Sequence, residues 1–286
     1  MGETIRLADG RALGFDEFGA HDGAPVFYLP GYGSSRLAAY PDDALTASTG
    51  ARVIAVDRPG IGLSSPRAGY RPLDFATDVV ALADALGQER FAVLGWSWGG
   101  AYALACGYGF PERVTRLGLA SPLGRWLVGP GATTAVSSGF RQLALLVRLA
   151  PRTLKLFLRW QRRGLLRDPE RAVARATASL PLADREVVER PGMRTMLVAN
   201  LLAAWRQGSD GLYQDTLAVA RPWGFQPGEV GPPVHLWQGE DDAEVLPAMA
   251  HELVAALPDC RASFCMGEGH LVIYIHWAEM LSALVA

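Results

Sequence analysis

Phe91-Ala92-Val93-Leu94-Gly95-Trp96-Ser97-Trp98-Gly99-Gly100 decides how this chain folds. An apolar run with strand character ends in Gly-x-Ser-x-Gly, and a helical pattern, Trp98–Tyr108, begins directly behind it. That succession predicts a nucleophile elbow, a strand-to-helix turn with a serine at its apex. The bend is too sharp for relaxed backbone at Ser97. Gly95 and Gly99, two residues to either side, remove the side chains that would collide across it. The turn also sets the hydroxyl at a helix N-terminus, where backbone amides and the helix dipole favour negative charge.

Outward from this stretch, short β-like runs alternate with helical patterns, which predicts a mostly parallel sheet covered by helices on both faces. Eight strands are expected: Thr4–Ala8, Ala12–Gly19, Pro25–Leu29, Val53–Val56, Phe91–Gly95, Thr115–Ala120, Pro233–Trp237 and Arg261–Met266. Phe75, Val79, Leu82 and Leu86 mark one helical face with Gly87 as its stop. Leu246–Leu257 reads as another helix, and His270–Val285 as a last, strongly apolar one. From about Pro122 to Gly231 the rhythm breaks into helical patterns without strands. Residues 1–121 and 231–286 are therefore expected to form the α/β core. Residues 122–230 are expected to form a helical cap over the strands' C-terminal edge, where open α/β sheets bind ligands.

Bulk properties narrow the class. With 50% hydrophobic and 20% charged residues among 286, a sizeable core is possible. A net charge of −2 gives no reason to expect nucleic acid as a partner. Cys106, Cys260 and Cys265 lack metal-type spacing, so neither a disulfide framework nor a metal is expected. The N-terminus shows no secretory apolar region, and no stretch reaches the ~18 apolar residues of a membrane span. A soluble, cytoplasmic protein without stable membrane insertion is the expectation, with oligomeric state open.

A serine hydroxyl needs a base to take its proton. Of five histidines, His21 lies in a turn, His235 in a strand, and His251 and His276 in helices. His270 follows the last strand in Gly267-Glu268-Gly269-His270, on a loop leaving the same sheet edge as the elbow, and is the candidate base. An acid must then hold the imidazole's tautomer. No Asp or Glu occurs from Val114 through Arg167, so the strand ending at Ala120 offers none. The strand ending at Trp237 offers Glu240, Asp241, Asp242 and Glu244, any of which has the right chemistry. Two amides should face the developing oxyanion: that of Trp98, and that of Tyr32 in Pro30-Gly31-Tyr32-Gly33-Ser34-Ser35. Gly31, Gly33 and Trp96 are candidates to line the substrate pocket. No cofactor is expected.

These elements resemble cap-containing serine α/β-hydrolases of bacterial type across nearly the whole chain. Gly95–Gly99, Asp57-Arg58-Pro59-Gly60 and Gly267–His270 are specific in combination. In that family the acid stands three residues after the glycine of its loop, which in Gly239-Glu240-Asp241-Asp242 implies Asp242. The resemblance also implies that the loop at Asp57 is structural, with Arg58-Pro59-Gly60 as turn chemistry. One departure stands out: Pro30-Gly31 replaces the family's usual His-Gly. The implied activity is hydrolysis of a fairly apolar or amphiphilic ester, thioester or lactone. Alternatives are a proline-iminopeptidase-like amidase, for which Glu186, Glu189 and Asp210 offer cap carboxylates, a carbon–carbon hydrolase, and a noncatalytic ligand-binding or biosynthetic partner protein on the same fold. Within the cap, Arg141, Arg148, Arg152, Lys155, Arg159, Arg162, Arg163 and Arg167 occur with no acid among them. With the apolar runs Leu143–Val147 and Leu154–Leu158 interleaved, the stretch reads either as an entrance for an anionic or amphiphilic substrate or a weak membrane contact, or as a solvated face on amphipathic cap helices.

Overall fold

The computed structural model describes residues 2–124, 135–178 and 180–286. Its strands are β1 (Glu3–Arg6), β2 (Ala12–Gly19), β3 (Ala24–Leu29), β4 (Ala51–Val56), β5 (Phe91–Trp96), β6 (Val114–Ala120), β7 (Val234–Gly239) and β8 (Cys260–Cys265). The helices are α1 (Asp43–Ser48), α2 (Pro72–Ala85), α3 (Gly99–Gly109), α4 (Ser138–Leu149), α5 (Pro151–Arg167), α6 (Pro169–Ala178), α7 (Leu182–Val188), α8 (Met193–Ala204), α9 (Asp210–Ala220), α10 (Pro247–Ala256), α11 (Val272–Ile275) and α12 (Trp277–Val285).

One eight-stranded sheet runs in the order β1-β2-β4-β3-β5-β6-β7-β8. Only β2 runs against its neighbours; the other pairs are parallel. Parallel strands covered on both faces need apolar residues at every position, and β3 shows it. Phe27 and Leu29 pack with Phe75, Val79 and Leu82 of α2. Val26 and Tyr28, pointing the other way, pack with Trp277, Met280 and Leu281 of α12. Each such side chain is fully buried, at roughly 1.5–3 kcal/mol apiece. α2 begins at Pro72, with Asp74 accepting from the Arg71 amide (2.7 Å). It ends where Gly87 adopts φ +68°, the left-handed stop its sequence predicts.

Strand ends differ from expectation by one or two residues. The last helix differs more. The stretch predicted as one helix over His270–Val285 divides into α11 and α12, with His276 at the break. Leu271, Val272, Ile273 and Tyr274 are all buried. A straight helix lying on a sheet cannot bury four consecutive side chains, so the chain turns once and is re-aimed. Trp277 then reaches inward and donates to Thr46 Oγ1 (3.0 Å).

Between β6 and β7 the described residues form α4 to α9 and contribute no strand to the sheet, as the sequence suggests. Within that segment, 125–134 and 179 lie outside the described residues. Among the described residues no helix is long and apolar enough to cross a membrane.

Candidate active site

Ser97 stands between β5 and α3 with φ +53°, a left-handed conformation rare for a residue with a side chain. Its amide donates to Ala120 O of β6 (2.9 Å), which ties the apex down. A Cβ at Gly95 would lie 2.7 Å from Gly99 O, and one at Gly99 would collide with Leu29 O. Both glycines are thus fixed by close approach, as the sequence implied. The serine is 2% exposed.

His270, on the turn after β8, brings Nε2 to 2.9 Å from Ser97 Oγ. Its Nδ1 lies 2.8 Å from Asp242 Oδ2. Asp242 Oδ1 accepts from the amides of Glu244 (2.9 Å) and Val245 (3.0 Å), so the carboxylate is fixed at both oxygens. Burial pushes the Asp242 carboxyl up, but His270 and the two amides outweigh it and leave it below the usual carboxylate range. Burial likewise pushes the His270 imidazole down, and Asp242, helped by Asp184 and Glu244, holds it above the usual histidine value. An imidazole so placed is oriented by one neighbour and can take a proton from the other.

Across the serine lies the loop after β3. A Cβ on Gly31 would sit 3.2 Å from Trp96 Cε3 and 3.3 Å from Ser97 Cβ, so this loop abuts the nucleophile. Gly33 takes φ +66° without crowding. The rings of Tyr32 and Trp98 approach to 4.9 Å, and Phe140 of α4 stacks on Trp98 at 5.8 Å. Trp98 is the first residue behind Ser97 and caps α3. Trp96 packs beneath the site in the core and donates Nε1–H to His270 O (3.1 Å).

Sequence reading missed three buried polar residues of the segment between β6 and β7, each holding a loop at this edge. Asp184 of α7 accepts from the amides of His270 (2.9 Å) and Leu271 (2.8 Å). Asn200 of α8 accepts from the Ser35 amide (2.7 Å), in the loop after β3. Asp215 of α9 accepts from Arg58 Nε (2.9 Å) and from the hydroxyls of Tyr70 and Tyr102. Arg58 in turn donates to the carbonyls of Pro30 and Gly31. The turn read from Arg58-Pro59-Gly60 is present, Ile61 N–H donating to Arg58 O (2.9 Å) with Gly60 at φ +77°; the Arg58 side chain is, in addition, a buried cation shaping the loop where Pro30-Gly31 replaces His-Gly. Asn200, a polar residue among apolar neighbours in α8, was a signal available in the sequence; Asp184 and Asp215 stand beside Arg185, Glu186, Gln214 and Thr216 and gave none, and loop partners more than 80 residues away are not legible from spacing.

The remaining candidates fall outside the cluster. His21 and His251 are exposed, and His235 stacks on Trp237 at 3.7 Å. His276 is held between Glu268 and Glu279. Asp241 is exposed and Glu244 accepts from Ser137 Oγ. Asp57 is buried and accepts from Arg36 and the Leu63 amide, a structural arrangement. Exposed Glu189 and Asp210 pair with Arg194 and Lys155. Burial pushes the Cys106 thiol up to about 12. Cys265, Glu268 and His276 place donor atoms within 4.8 Å of one another, close enough for one cation, although Glu268 and His276 already bond each other there.

An eight-stranded sheet with a buried serine on a strained strand-to-helix turn defines a class of protein. The chain belongs to the alpha/beta hydrolase fold family, whose model matches residues 24–275. It is 34% identical over 131 residues to a poly(3-hydroxyalkanoate) depolymerase of Ectopseudomonas oleovorans, covering 44% of each chain. It is 30% identical over 122 residues to a proline iminopeptidase of Neisseria gonorrhoeae, covering 40% of this chain and 37% of that one. The chain thus spans about half the length, or less, of these curated relatives. An esterase from Exiguobacterium antarcticum superposes with a TM-score of 0.72 at 19% identity, covering 100% and 98% of the two chains, a likeness of fold.

Proposed function

We propose that this protein hydrolyses a fairly apolar carboxylic ester, thioester or lactone of small-molecule size through an acyl-enzyme on Ser97. The 2.9 Å contact between Ser97 Oγ and a His270 ring already oriented by Asp242 carries this reading. His270 Nε2 takes the hydroxyl proton as Oγ attacks the substrate carbonyl. The oxyanion meets the amides of Tyr32 and Trp98, each donor being worth roughly 2.7–4 kcal/mol. His270 then passes its proton to the leaving alcohol or thiol, and the acyl-enzyme remains. Water, deprotonated by the same nitrogen, attacks the ester; Ser97 recovers its proton and the acid departs. Asp242 stays ionised and stabilises the imidazolium. No cofactor or metal enters these steps.

The segment 122–230 serves as the cap, with Tyr32, Trp98 and Phe140 forming an aromatic wall beside the serine. The amidase reading is less well supported. It needs a carboxylate for the substrate amine, and Asp210 and Glu189 are exposed and paired, while Asp184 is occupied by two backbone amides. Exposure to a fluorophosphonate should modify Ser97 and no other serine. Ser97→Ala and His270→Ala should each abolish turnover of a short-chain aryl ester with the fold intact. A folded wild-type protein that neither reacts with the probe nor turns over any aryl ester, thioester or lactone refutes the proposal and favours a noncatalytic ligand-binding role.

A further inference from the structure

On α4 and α5 the apolar residues do not all turn inward, as an amphipathic helix would have them. On α5, Leu154, Leu158 and Leu165 are buried. Leu156, Phe157 and Trp160 are not, and Trp160 is 67% exposed. At 100° per residue these three lie within about 100° of arc, Leu156 and Trp160 facing away from the buried stripe and Phe157 at the edge between the two. The rings of Phe157 and Trp160 stack on each other at 6.0 Å, in solvent. α4, packed on α5, adds Leu145 and Leu149, four residues apart, the latter 77% exposed. With Leu166, these helices carry six of the nine large apolar side chains exposed among the described residues.

A row of cations borders this stripe. Arg152, Arg159 and Arg163 occupy the arc beside it on α5, all exposed. None of them, nor Arg148 or Arg167, forms a salt bridge among the described residues. Residues 114–167 contain no acid to neutralise them. Where α4 meets α5, Arg148 and Pro151 join Arg221 and Tyr213 around a cavity of about 550 Å³, roomy enough for an anionic headgroup.

We infer that the α4–α5 face adsorbs to a lipid surface carrying anionic headgroups, with Leu149, Leu156 and Trp160 entering the interface and the arginines meeting the charge. Charge selects this occupant. A second copy docking through the same face would set unpaired arginines against arginines. An anionic surface attracts each of them, by about fivefold in partition per cation, while the apolar stripe enters between headgroups. This goes beyond the hydrolase proposal and does not depend on it.

The test is co-sedimentation of the whole chain with sucrose-loaded vesicles of pure phosphatidylcholine, or of phosphatidylcholine with about a third phosphatidylglycerol. The protein should pellet with the anionic vesicles only, and 0.5 M salt should release it. R152E/R159E/R163E and L149S/L156S/W160S should each weaken partition by about tenfold or more. Circular dichroism and Tm verify that both variants fold, whether or not any ester is turned over. Absence of binding, equal binding to neutral vesicles, or unchanged binding by either folded variant overturns the inference. So does a stable dimer in light scattering that L149S/L156S/W160S converts to monomer without vesicle binding by the wild type.

Discussion

Asp184→Ala removes the carboxylate that accepts from the backbone amides of the His270 loop. Two amides, those of His270 and Leu271, lose their acceptor inside the protein. Each unsatisfied buried amide costs about 1–3 kcal/mol, so the variant should lose ~2–6 kcal/mol, and Tm should drop by more than ~4 °C. The kinetic effect has a separate origin. The loop that fixes Nε2 against Ser97 is released, and a displacement of about 1 Å can cost on the order of 10²-fold in rate. A third readout distinguishes positioning from mere stability. Ionised Asp184 helps to hold the His270 imidazole above its usual value, so losing that charge lowers the value. The acidic limb of kcat/KM against pH should therefore move to lower pH. Asp184→Asn keeps one acceptor oxygen and loses the charge, so it should shift the limb similarly with a smaller fall in Tm. The assay is aryl-ester turnover from pH 5 to 9 with Tm recorded in parallel. Wild-type Tm and an unmoved limb in Asp184→Ala would refute the reasoning; a lowered Tm with the limb in place would leave Asp184 a purely structural tie.

Asp215→Asn leaves Arg58 buried without its counter-charge, which costs roughly 3–5 kcal/mol; chemical denaturation should show that loss, and kcat should fall too because Arg58 shapes the Pro30–Gly31 turn. The wild-type rate should fall as pH drops through a value above 6.5, since the base must be neutral and Asp242 holds it charged; in Asp242→Asn the limb should move down while kcat falls by about 10⁴-fold. Gly31→Ala drives a methyl against Trp96 and Ser97, displacing the Tyr32 amide; kcat should fall on the order of 10²–10³-fold with KM little changed, whereas a kcat within about threefold of wild type would remove Tyr32 from the oxyanion site.

Sequence alone determined what is local and periodic. Apolar runs specified the central strands, β3 and β5 among them, because a strand covered on both faces has little room for a polar residue, whereas the edge strands β1 and β8 carry Glu3, Thr4, Arg6 and Arg261 and stay partly exposed. Gly95 and Gly99 exposed the elbow, because the bend tolerates no Cβ at either place. His270 stood out because its loop leaves the same sheet edge. Asp242 required family spacing, since four carboxylates share that loop and only burial with two amide donors separates it from Glu240, Asp241 and Glu244. Tertiary structure decided the rest. Asp184, Asn200, Asp215 and Arg58 act on partners tens to hundreds of residues away, and no local pattern encodes which loop a buried carboxylate will face. The same limit explains α5: periodicity predicts an amphipathic helix, but only the packing shows that one leucine stripe is covered while Leu156, Phe157 and Trp160 are left in water.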